Sequence, residues 1–290
     1  MSTLYILLDQ IALIQIIHDR IKGSGNRLIS LDARWVPSDQ PKATVVFCHG
    51  YKGFKDWGAW DLVANAFAEQ GFLFVKFNFS YNGTAPDSLQ DFTDLEAFGQ
   101  NNYSKEVEDL KLVCSWAKKT SAIDQKRTKS KVHLIGHSRG GGIALLAAAS
   151  LDIKSLATWA SVSDFETRFP FGQALTEWRE KGVFHVLNSR TGQKLPHNIQ
   201  FLDDFLENEI DLDIRTKTRM LNKPFLILHG LNDEAVHISE AMRLNKWGVL
   251  SSIQFIPNGN HTFGATHPWG QVDLPEELRE VAERTISFFK

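Results

Sequence analysis

Cysteine is scarce in this chain, with two in 290 residues, at positions 48 and 114. Cys48 follows Val45-Val46-Phe47, and Cys114 follows Leu110, Leu112 and Val113. Both read as small core hydrophobes rather than a disulfide framework, which fits a reducing compartment and an expected cytoplasmic location. Charge of one sign is also lacking. The formal net charge of −2 gives no electrostatic ground for a nucleic-acid or anionic-membrane partner. No apolar run is long enough to cross a bilayer: Leu4 to Ile17 is aliphatic, but Asp9, Gln10 and Gln15 interrupt it. That stretch also lacks the basic leader and small-residue cleavage site of a secretory signal, so residues 1–10 are expected to form a packed arm or to be poorly ordered. Repeats and low-complexity segments are missing too. His133 and His137 lie four apart, but on a strand and a turn rather than one helix face, so no metal site is expected. Arg139-Gly140-Gly141-Gly142 has glycines without the Lys-Ser/Thr of a phosphate loop, and no cofactor is expected.

What is present is an alternation of short apolar strands and amphipathic helices. A chain of 290 residues is near the upper limit for one hydrophobic core, so a single domain with an elaboration is expected. Extended segments at Ala12–Ile17 and Leu28–Trp35 flank the turn residues Gly23-Ser24-Gly25-Asn26 and suggest an antiparallel pair. Strands are then expected at Thr44–Cys48, Phe72–Phe79, Val132–Ile135, Leu156–Ala160, Pro224–Leu228 and Ser252–Ile256. Helices are expected at Trp60–Gln70, Ser104–Lys119, after the glycines at 140–142, at Ile238–Lys246 and from Pro275 towards Phe288. This order predicts an α/β fold, a mostly parallel sheet covered by helices on both faces, with ligands at the carboxyl ends of the strands. Residues 163–222 break the rhythm and are too long for a plain loop. They hold helix-like pieces at Ala174–Lys181 and Gln200–Glu207 and seven aromatics: Phe165, Phe169, Phe171, Trp178, Phe184, Phe201 and Phe205. They read as a helical cap over the site, with most of the aromatics in the cap's own core and one or two facing a substrate.

Gly136-His137-Ser138-Arg139-Gly140 stands between a β-branched run and an alanine-rich segment. A serine at a strand-to-helix turn, with small residues two before and two after it, is the nucleophile-elbow pattern. Such a hydroxyl needs a base to remove its proton and a carboxylate to orient that base. His261, in the turn Asn258-Gly259-Asn260-His261, is the candidate base, with His267, His185 and His197 as competitors. Asp233, in His229-Gly230-Leu231-Asn232-Asp233, is the candidate acid ahead of Glu234 and Asp164; its alternative role is a surface carboxylate capping the helix near Val236. Negative charge developing on a carbonyl oxygen needs preorganised N–H donors. The Arg139 amide at a helix start is one candidate, and the Tyr51 amide in His49-Gly50-Tyr51-Lys52-Gly53 is the other, with Lys52 second. The Arg139 side chain is left to pair with a cap carboxylate or a substrate anion.

In order and spacing, this set resembles the α/β-hydrolase superfamily from about Ala43 to the C-terminus. It looks most similar to dienelactone-hydrolase-like, cinnamoyl-esterase-like and prolyl-oligopeptidase-like serine hydrolases. The resemblance implies an eight-stranded sheet with one antiparallel member and hydrolysis of small carboxylic esters through an acyl-enzyme. The alternatives are an amidase or peptidase using the same residues, and a binding protein that keeps the fold without catalysis.

Overall fold

A computed structural model describes residues 13–40, 42–123 and 132–290. The expected arm at residues 1–10 lies outside them. Among the described residues eight strands form one sheet: β1 (Gln15–Lys22), β2 (Leu28–Trp35), β3 (Thr44–Cys48), β4 (Leu73–Phe77), β7 (Val132–His137), β8 (Ile153–Trp159), β11 (Phe225–Gly230) and β12 (Ser251–Ile256). Their spatial order is β1-β2-β4-β3-β7-β8-β11-β12. Two antiparallel pairings, β1 with β2 and β2 with β4, occupy one edge, so β2 runs against the other members. The remaining pairings are parallel. Two short hairpins lie outside this sheet: β5 (Thr84–Ala85) with β6 (Ser88–Phe92), and β9 (Val183–Leu187) with β10 (Lys194–Asn198).

The central strands are continuous apolar runs because both faces of the sheet are covered. In β3, Val46 and Cys48 face one side and Val45 and Phe47 the other, all fully buried. The first side packs on α3 (Tyr103–Lys119) and α4 (Arg139–Ala148). The second packs on α1 (Trp60–Glu69) and on the last helix, Glu276–Phe289, through Val63, Phe67, Val281 and Phe289. The edge strand β1 differs from its expected position, starting at Gln15 and continuing to Lys22. Five of its eight residues are exposed, so His18, Asp19 and Arg20 belong to a strand that an apolar-run reading ends at Ile17.

Between β8 and β11 the chain leaves the sheet and builds α5 (Gln173–Lys181), the β9–β10 hairpin, α6 (Gln200–Glu207) and α7 (Ile214–Met220). Both expected helices are present, while the hairpin and α7 carry no strong periodic signal. This insertion rests on the start of α3. Tyr103 stacks on Phe165 with ring centres 3.7 Å apart, Asn102 Nδ2 donates to Gln200 Oε1, and Ser104 Oγ donates to Asp204 Oδ2.

Candidate active site

The turn from β7 into α4 is held by backbone contact. A Cβ on Gly136 would lie 2.3 Å from the Gly140 carbonyl oxygen, and one on Gly140 would lie 2.3 Å from that of Cys48. Only glycine allows strand and helix to pass this closely. The cost falls on Ser138, whose φ of 56° and ψ of −123° are strained for a residue with a side chain.

Two loops meet beside it. After β11 and β12 the backbones are tied together, Leu231 N donating to Ile256 O and Asn232 N to Gly259 O. This tie brings His261 against Asp233. Ser138 Oγ lies 3.0 Å from His261 Nε2, and His261 Nδ1 lies 2.9 Å from Asp233 Oδ2. The carboxylate only accepts, so Nδ1 carries the proton and Nε2 is left to accept from the serine hydroxyl. Asp233 Oδ1 also accepts from the amides of Ala235 and Val236, closing a turn; it is buried and does not cap the next helix, Ile238–Trp247, whose N-cap is His237. Burial pushes the Asp233 carboxyl up, but the His261 hydrogen bond and charge, with the Val236 amide, hold it below the usual carboxylate range.

The competitors fall elsewhere. His267 Nδ1 accepts from Gly58 N, Asp164 Oδ1 accepts from Thr167, and Glu234 is exposed. His197 pairs with the Tyr51 hydroxyl at 2.7 Å. His137 Nε2 donates to the His261 carbonyl at 2.8 Å; burial and the nearby His261 ring push its imidazole down to about 3, so it stays neutral and braces the turn. Among the described residues no acceptor pairs with the amides of Tyr51 or Arg139. The Arg139 side chain pairs with no carboxylate of the insertion. Its Nη1 lies 3.3 Å from Glu106 of α3, and its guanidinium covers the Tyr51 ring at 4.2 Å. Glu106 sits three residues into a helix whose apolar spacing was the only visible signal.

A cavity of about 1030 Å³ opens over Ser138 and His261. Five of the seven insertion aromatics line it, Phe165, Phe169, Phe171, Phe184 and Phe201, where one or two were expected. Trp178 and Phe205 pack beneath them. Away from the cavity, Asp32, Asp56 and Asp61 bring three carboxylates together, but Lys55, Lys76 and Arg34 already neutralise them.

Residues 39–188 match the family model described as serine aminopeptidase, S33. That match spans half of the chain. The chain belongs to this S33 family. No curated protein matches it in sequence. Among solved structures it is similar to Est1E from Butyrivibrio proteoclasticus with ferulic acid bound, at 17% identity and a TM-score of 0.67, covering 94% of this chain and 97% of that one. It is also similar to a dienelactone hydrolase from Anabaena variabilis, at 14% identity and 0.60, covering 95% and 97%. A puromycin-hydrolyzing peptidase from Mycobacterium tuberculosis gives 18% and 0.65, covering 98% of this chain and 40% of that one. These likenesses establish the α/β-hydrolase fold for this S33 family member, and the family is one of hydrolases. Among the described residues no helix is long and apolar enough to cross a membrane.

Proposed function

We propose that the protein is a serine hydrolase that cleaves small carboxylic esters through an acyl-enzyme. Ser138 attacks the ester carbonyl while His261 takes its proton, and Asp233 holds the imidazole tautomer and stabilises the imidazolium. The amides of Tyr51 and Arg139 receive the developing oxyanion. His261 then protonates the leaving alcohol, and water repeats the sequence to release the acid. Residues 163–222 cap the cavity and give the acyl group an aromatic wall. The observation that supports this reading is the hydrogen-bonded chain from Ser138 Oγ through His261 to Asp233. The free, buried thiols of Cys48 and Cys114 favour a reducing, cytoplasmic setting.

The reading is tested with p-nitrophenyl acetate and butyrate, and with a fluorophosphonate probe. Turnover and labelling are expected, and Ser138→Ala should lose both while keeping its melting temperature. An unlabelled Ser138 would favour a binding protein on this fold. The family description supports a second reading, an amidase or peptidase using the same residues. Aminoacyl anilides cleaved as well as the esters would favour that one.

A further inference from the structure

The wall of the cavity over Ser138 carries four cationic side chains, Lys52, Arg139, Arg168 and Arg190, and no Asp or Glu among the described residues. Three of the four have a carboxylate partner outside the wall: Arg139 has Glu106, Arg168 has Glu240, and Arg190 has Asp91 at 3.8 Å. For Lys52 no carboxylate partner exists among the described residues. Its ammonium lies 5.4 Å from the centre of the Tyr51 ring, the same ring that Arg139 covers at 4.2 Å. Burial lowers the Lys52 ammonium from its ordinary value, the direction expected of a cation partly stripped of water without an anion to replace it. Buried neutral histidines complete this side of the wall. His49 is pushed down to about 4, so it does not repel an incoming group.

We propose that Lys52 and Arg139 form a subsite for a carboxylate on the acyl part of the substrate, so the favoured ester is the half-ester of a short dicarboxylic acid. This rests on Ser138 being the nucleophile. The acyl part is the one that reaches the subsite, because the leaving alcohol must face His261 to receive its proton. The groups around His261 are Ser138, His137 and Asp233, whereas those around the Arg139 guanidinium are Tyr51, Tyr103, Phe201 and Glu106. The guanidinium offers a planar fork for one carboxylate face, and the lysine adds a point charge. The same wall disfavours a free amino terminus, which would meet cations and no carboxylate. The substrate therefore differs in charge from that of an aminopeptidase.

The experiment compares kcat/KM for mono-p-nitrophenyl glutarate with that for p-nitrophenyl pentanoate, an ester of similar length without the charge. The anionic ester should be favoured by about tenfold or more at low salt, and by less in 0.5 M sodium chloride. Lys52→Met should cut that ratio by about tenfold, and Lys52→Arg should retain it. Equal kcat/KM for the two esters, or faster turnover of leucine p-nitrophenyl ester than of the pentanoate, overturns the subsite. A second measurement is independent of turnover: calorimetric binding of monomethyl glutarate to Ser138→Ala and to Ser138→Ala/Lys52→Met. Weaker binding by the double variant supports the subsite even if neither ester is hydrolysed, an outcome that would sink only the serine-hydrolase reading. Equal binding by the two variants overturns it.

Discussion

Asp233 makes two kinds of contact with its two oxygens. Oδ1 accepts from the amides of Ala235 and Val236, and Oδ2 faces His261 Nδ1. Asp233→Asn can keep the turn through its amide oxygen but presents an N–H group or a neutral oxygen to the imidazole. The tautomer that lets Nε2 accept from Ser138 is then no longer favoured. We expect kcat to fall about 10³- to 10⁴-fold while the melting temperature shifts by only a few degrees. Steady-state kinetics beside thermal unfolding check this; a loss of less than tenfold would remove Asp233 from the mechanism. At this scale Ser138, Asp233 and His261 were legible because each follows a strand end in a short loop of small residues. The contacts of Glu106, His137 and His197 were not, since their partners lie 33, 124 and 146 residues away in the chain.

The element that joins the insertion to the rest of the site is strand β10. His197 on that strand pairs with the hydroxyl of Tyr51, and the Trp178 indole donates to the His197 carbonyl, fixing the strand from behind. In the proposed mechanism the Tyr51 amide receives the oxyanion, so this bond holds the donor loop in place from the insertion. A neutral hydrogen bond contributes about 1 kcal/mol, so Tyr51→Phe and His197→Ala should each lower kcat roughly five- to tenfold with little change in KM. The double variant should be no worse than the poorer single one, because both remove one interaction. Independent, multiplying losses would show that the two side chains act separately. The periodic helices of the insertion were readable from sequence, but the hairpin was not. Its strands are short and half-exposed, Pro196 interrupts one of them, and a two-stranded unit needs the rest of the insertion to give it a buried side.

For the molecule as a whole, buried histidines govern the response to acid. Burial pushes His49 and His133 down to about 4, and His137 and His197 down to about 3, against 6.5 in an unfolded chain. The unfolded state therefore binds more protons between pH 6.5 and 4, and stability falls as the pH falls through that window. Asp109 and Glu106 act in the opposite sense. Burial raises both carboxyls, Asp109 to about 6, so the folded state takes up their protons first. His229 and His267 are lowered as well, so the histidines outnumber the two acids and unfolding takes up protons across this window. The melting temperature should therefore drop as the pH falls from 6 to 4. A melting temperature that stays flat to pH 4 would contradict this.

Alternating apolar strands and amphipathic helices, with glycines at the elbow and small residues in the loops, were enough to read the architecture and to single out Ser138, Asp233 and His261, which the structure brings together. Those features act through neighbours in the chain: period, turn conformation and the close passage of a strand and the helix that follows it. Only the tertiary structure decided which side chains surround Ser138. Arg139 faces Glu106 rather than a carboxylate of the insertion, most of the insertion's aromatics turn towards the cavity, and Lys52 is left as a cavity cation with no carboxylate partner among the described residues. These outcomes depend on how separate layers pack and on which charges burial brings within reach, and that information is not local to any stretch of sequence.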